Sequence, residues 1–214
     1  MLLTNSNEEW RIKNNKYYMI YNDGKILLGE GSAGIYYNGE EVSNSNIGRG
    51  GIVSSGNIES ASNNAIGIMG NITINKNFSD ILISNFGEIK LTGDKSVGMN
   101  ITGKSTSVQY NFTDVSNKGK IIMGDSSDRA NPSIGMYNDN LKINLNNSGE
   151  IQIGKNSIGI LGNGTNKVSN SGNIYIMNDG GVGMYLINGS KGTNNGTITT
   201  VGTPKDAVGV VVGK

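Results

Sequence analysis

The chain has 214 residues and a net charge of +1, and glycine and asparagine together fill 66 of its positions. Cysteine and histidine are absent, which excludes disulfides, thiol nucleophiles, histidine-based triads and Cys/His zinc sites. Arginine occurs only at 11, 49 and 129, so the basic excess of a nucleic-acid binder is missing.

No stretch approaches the roughly 18 consecutive apolar residues of a membrane helix. Residues 1–10 lack the basic and apolar regions of a signal peptide. Isoleucine, at 27 residues, favours strands.

From residue 20 onward the chain is a repeat. Its first phrase is Asn-x-Gly-x-Ile, beginning with Asn22, Gly24 and Ile26. The phrase returns at Gly56-Asn57-Ile58 (with Ser54 for Asn), Gly87-Glu88-Ile89 and Gly119-Lys120-Ile121. It closes with Gly149-Glu150-Ile151, Gly172-Asn173-Ile174 and Gly196-Thr197-Ile198. A second phrase answers each time, a glycine before Ile, Met or Val, from Gly34-Ile35 through Gly135-Met136 to Gly209-Val210. The first-phrase glycines step by 32, 31, 32, 30, 23 and 24 residues.

Around the first phrase the apolar period is two, as in Ile89 with Leu91 and Ile151 with Ile153. Such alternation, bounded by Asn and Gly, predicts a half-buried strand. No apolar spacing long enough for a helix lies between copies. A unit this short cannot bury its apolar side alone, so the copies are expected to stack as coils about 4.8 Å apart. The expected fold is all-β, a right-handed parallel β-helix of about seven coils. Residues 1–19 form a lead-in or partial coil, and 20–214 the β-helix.

In that stack Ile26, Ile58, Ile89, Ile121, Ile151, Ile174 and Ile198 form one inward column. The asparagines are expected in a tight turn, where Asn tolerates left-handed dihedrals and bonds neighbouring backbone. The following glycines are expected where no side chain fits. Outward, Glu88, Lys120 and Glu150 alternate in sign where they become neighbours.

From second-phrase glycine to next first-phrase glycine, the arms measure 22, 20, 21, 14, 13 and 13 residues. Insertions are therefore expected near 37–53, 69–84 and 100–116, with a separate one near 125–133.

Gly29-Glu30-Gly31-Ser32-Ala33-Gly34 matches the dinucleotide fingerprint, but a strand and turn follow where a helix is required. Asp94, Asp125 and Asp128 could meet on neighbouring coils as an acid pair or calcium site, against an ordinary solvated-turn reading. Eight Asn-x-Ser/Thr sequons reflect asparagine content. Several aromatics fall in or beside the long arms, where they serve either recognition or local packing. Phe78, Tyr110 and Phe112, with Arg129 in the fourth insertion, are the candidate binding residues.

The alternation of Asn147-Ser-Gly-Glu-Ile-Gln-Ile-Gly154 with Asn156-Ser-Ile-Gly-Ile-Leu161, and of Asn170-Ser-Gly-Asn-Ile174 with Gly181-Val-Gly-Met-Tyr185, resembles the passenger repeats of type V autotransporter adhesins. The likeness is to those of AT-rich anaerobic Gram-negative bacteria and covers about 190 of the 214 residues. Two-partner-secretion haemagglutinins and phage fibres look similar. The resemblance implies a surface-exposed stalk, carried across the outer membrane by a C-terminal barrel that this sequence does not include. It also implies an internal segment of a larger passenger, with Met1 an added start. Scarce Cys and Pro agree with passage through a narrow pore.

The expected function is a non-enzymatic stalk and adhesion segment at the cell surface, with no catalytic residue, metal or cofactor. Its expected partner is a host-cell or bacterial surface protein or glycan, with no nucleic acid and no membrane insertion. A polysaccharide-active β-helix lyase or hydrolase and a pure spacer remain the alternatives.

Overall fold

The computed structural model describes residues 11–12, 15–16, 18–40, 50–74, 81–105, 114–139, 143–164 and 167–213. Among them every regular element is a strand. Apart from a small antiparallel pair, Arg11–Ile12 with Asn15–Lys16, the strands form three parallel sheets of seven. The chain visits the three sheets in turn and then repeats, giving a parallel β-helix of seven coils.

Coil four shows the plan. Asp114–Asn117 lies in the first sheet, Lys120–Met123 in the second and Ile134–Asp139 in the third. Each strand pairs with its equivalents one coil back and one coil on.

The isoleucine column stands as the sequence predicts. Ile26, Ile58, Ile89, Ile121, Ile151, Ile174 and Ile198 are successive partners in the second sheet. The five central members are fully buried, and the two end members are half-buried. Each full burial is worth about 1.5 to 3 kcal/mol, so the column is a principal source of stability. A second apolar column, Ile35, Ile68, Met99, Met136, Ile160 and Met184, faces it from the third sheet. Outside, Glu88, Lys120 and Glu150 are register neighbours, and Lys120 pairs with Glu150 at 3.0 Å.

The asparagines of the first phrase lie elsewhere than expected. Asn85, Asn117, Asn147 and Asn170 end their first-sheet strands, buried and pointing inward, without left-handed dihedrals. Their amides form a ladder: Asn85 donates to Asn117 at 2.8 Å, Asn117 to Asn147 at 2.8 Å, Asn147 to Asn170 at 2.7 Å and Asn170 to Asn194 at 2.7 Å. Each also donates to the carbonyl two residues on, for example Asn117 to Gly119 at 3.3 Å. The low apolar content thus conceals a hydrogen-bonded polar column inside the helix, where unpaired amides would be costly.

Left-handed residues occur in the turn between the second and third sheets: Gly31, Asn64, Lys95, Asn156, Gly180 and Asp206. The small residues that follow include the fully buried Ala65, Ser96 and Ser157. The first-phrase glycines do meet the expectation of close approach. A Cβ on Gly119 would lie 2.1 Å from the carbonyl oxygen of Gly87.

The insertions are partly strand. In coils one to three the third-sheet strands span Ala33–Glu40, Ile66–Ile74 and Val97–Ser105, against six residues each in coils four to six. The first residues of the long arms thus prolong the third sheet.

Candidate functional site

Phe78, Tyr110 and Phe112 lie outside the described residues. Arg129 is exposed in the loop between Met123 and Ile134, the insertion of coil four. That loop is organised by short-range bonds. Asp128 accepts from the Ala130 N–H at 2.8 Å and from the Asn131 amide at 2.6 Å.

Asp94 and Asp125 are committed to inter-coil turns, and Asp128 to its own loop. Asp94 accepts from the Ser126 hydroxyl at 2.8 Å, the Ser127 N–H at 3.2 Å and the Ser127 hydroxyl. Asp125 instead bonds forward, accepting from the Lys155 N–H at 2.6 Å and the Asn178 amide at 2.8 Å. The hydroxyls of Ser127 and Ser126 hold the Asp94 carboxyl below its ordinary range. The Asn131 amide and Ala130 N–H do the same for Asp128. Carboxylates so satisfied favour the ionised state, the opposite of a raised general acid.

The same device recurs along the helix. Asn63 accepts from the Asp94 N–H at 2.9 Å, and Asp179 from the Lys205 N–H at 2.7 Å. An Asx side chain on one coil thereby caps backbone on the next. Among the described residues no three acidic side chains are grouped to hold a metal ion. The Gly29–Gly34 motif forms a turn running into the strand Ala33–Glu40, so no helix terminus is there to hold a pyrophosphate.

The faces differ in chemistry. The outer face of the second sheet carries charge, including the Lys25–Glu59 pair at 2.9 Å and Lys120–Glu150. The third sheet's outer face carries the row Tyr36, Met69, Asn100, Tyr137, Leu161, Tyr185 and Val211. Beside it runs an amide row: Asn71 donates to Asn38 at 3.0 Å, Asn163 to Asp139 at 2.8 Å and Asn188 to Asn163 at 2.7 Å. The Tyr137 hydroxyl bonds with Asn163 and Asp139, and burial pushes its ionisation upward. In the sequence Tyr137 is one aromatic among several and carries no motif. The signal for the row was its position three residues after each third-sheet entry residue, visible once the coils were aligned.

These features define the class as a parallel β-helix. No known protein family, curated protein or solved structure matches the chain.

Proposed function

We propose that the protein is a non-enzymatic stalk and adhesion segment displayed on a bacterial surface, of the autotransporter passenger type. The observation that carries this reading is the unbroken register of three sheets over seven coils, locked by the Ile column and the Asn ladder. At about 4.8 Å per coil, such a stack is a stiff rod that sets arms out from a common scaffold, the usual arrangement for recognition. The neutral, Cys-free, Asn-rich composition and the resemblance of the repeats support placement at the cell surface. Attachment to a surface protein or glycan is assigned to the long arms, with Phe78, Tyr110 and Phe112 as anchors and Arg129 in the coil-four insertion beside them.

The test compares the protein with a variant whose arms at 69–84 and 100–116 are shortened to the 13-residue form before Gly172. The Ile column and the Asn ladder lie outside both arms, and the deletion spares the buried Ile83 and Val115, so the variant keeps its cooperative unfolding, and attachment to host or bacterial cells is lost. Unchanged attachment by the shortened variant refutes the assignment to the arms and favours the spacer reading.

A further inference from the structure

We propose that the outer face of the third sheet over coils four to six binds a neutral, extended β-1,4-linked polysaccharide laid along the helix axis. The proposal goes beyond the arm-based reading, because none of its residues belongs to the long arms.

The face is built from Ile134, Tyr137 and Asp139 on coil four, Leu161 and Asn163 on coil five, and Tyr185 on coil six. Tyr137 is the register partner of Leu161, and Leu161 of Tyr185. All three are half-buried, with their neighbours Met136, Asn138, Ile160, Met184 and Leu186 inside the helix. The strip is therefore fixed by the strands beneath it and partly open to solvent.

Spacing selects the ligand. Adjacent coils are about 4.8 Å apart, close to the length of one pyranose in an extended β-1,4 chain. Successive rings of that chain are turned by half a revolution, so the same ring face recurs at every second sugar. Tyr137 and Tyr185 stand two coils apart, with Leu161 between them. Each tyrosine can receive the C–H face of alternate sugars, where aromatic surface gains most from apolar contact. The equatorial hydroxyls then project toward the amide row at Asn163 and Asn188, which offers both donors and acceptors.

Charge selects a neutral chain. The strip carries one formal charge, Asp139, and its carboxylate already accepts from Asn163. Among the described residues of these coils, lysine and arginine, which a uronate or sulfated chain requires, lie on other faces, as at Lys120 and Lys155.

The experiment is affinity electrophoresis of the whole chain in gels containing konjac glucomannan, with dextran and polygalacturonate gels as comparisons. Calorimetry with cellohexaose gives the affinity. Retardation is expected in glucomannan alone. Tyr137→Ala and Tyr185→Ala each weaken cellohexaose binding about tenfold or more, Tyr137→Phe retains it, and Tyr175→Ala on the second sheet leaves it unchanged. Leu161→Lys abolishes binding while sparing both tyrosines, and thermal unfolding confirms that each variant remains folded. No retardation in glucomannan, equal retardation in polygalacturonate, or indifference to the tyrosine substitutions overturns the proposal. The arm-shortened variant separates the two assignments: it is expected to keep glucomannan binding while losing cell attachment. If it keeps attachment instead, the arm assignment fails and the face is judged on its tyrosines alone.

Discussion

Ser54 lies beside Asn85 on neighbouring first-sheet strands, and Oδ1 of Asn85 is buried there without a hydrogen-bond partner. Elsewhere in the ladder the residue one coil back is an asparagine whose Nδ2 fills that role, as Asn85 does for Asn117. Ser54 accepts from Asn22 at 3.1 Å, so the column is interrupted at this one residue of the motif.

Replacing Ser54 with Asn should complete the ladder from Asn22 to Asn194. One new rung satisfying a buried acceptor is worth about 1 kcal/mol, so Ser54→Asn should unfold at higher urea. Asn117→Ala, which breaks two rungs and leaves neighbouring amides unpaired, should cost about 2 kcal/mol or more. Loss of stability in Ser54→Asn, with Asn117→Ala neutral, would falsify the structural role of the ladder.

The glycines of the first phrase supply a second comparison. The Cβ of each points toward the preceding coil. At Gly119 it would meet the Gly87 carbonyl oxygen at 2.1 Å, whereas at Gly24, on the first coil, nothing lies within 4 Å. Gly119→Ala should therefore force backbone apart and cost about 3 kcal/mol, while Gly24→Ala should change stability by less than about 1 kcal/mol. The pair is read from denaturant midpoints. Equal effects would mean that the stacking direction or coil assignment is wrong.

Much of this architecture was legible in the sequence for a physical reason. Gly and Ile stand two residues apart in every first phrase, so aligning the phrases also aligned the column and the outward Glu88, Lys120 and Glu150. The asparagines misled because an Asn before Gly reads as turn chemistry, and only neighbouring coils reveal that its amide has an identical partner to bond. The left-handed position was hidden for the opposite reason: Gly31, Asn64, Lys95 and Asp206 share a dihedral but no side-chain chemistry. The acid pair failed because the coil-four insertion aims Asp125 forward at Lys155 and Asn178, away from Asp94. The tyrosine strip carried no motif, since its residues share only an outward position.

Lys95 sits at that left-handed position with φ of 55°. A side chain there costs on the order of 1 kcal/mol, and glycine removes the cost. Lys95→Gly should accordingly raise the unfolding midpoint, by about 0.5 to 1 kcal/mol. Lys95→Val, branched at Cβ, should lower it. A midpoint that falls for glycine as well would show that the lysine side chain contributes more than its backbone strain takes away.

Acid should weaken the turn region of coils three and four. The folded carboxyls of Asp94 and Asp128 lie below their ordinary value of 3.8, chiefly through Ser127 and Asn131 respectively. A depressed folded value means that the unfolded chain binds protons first. The stabilisation is then present above about pH 4 and is lost as pH falls through the folded values. Urea midpoints should be level from pH 7 to 5 and fall below 4. Asp94→Asn should have a lower midpoint than the parent at pH 7 and a shallower decline in acid, because its share of the linkage is gone. An identical acid decline in parent and Asp94→Asn would place the pH-sensitive bonds elsewhere.

The steepest contrast is between adjacent residues of one strand. Ile121 is fully buried between Ile89 and Ile151, whereas Lys120 points outward between Glu88 and Glu150. Ile121→Asp puts a carboxyl into an apolar column with no donor to receive it. Burying it costs several kcal/mol even when it takes up a proton, so the variant should lose cooperative unfolding. Lys120→Asp removes one partly exposed ion pair and sets like charges side by side, an effect of under about 1 kcal/mol. That cost should shrink further in high salt, where the buried defect should not recover. If the two variants unfold at the same denaturant concentration, the two positions do not differ in burial, and the Ile column cannot be what holds the coils together.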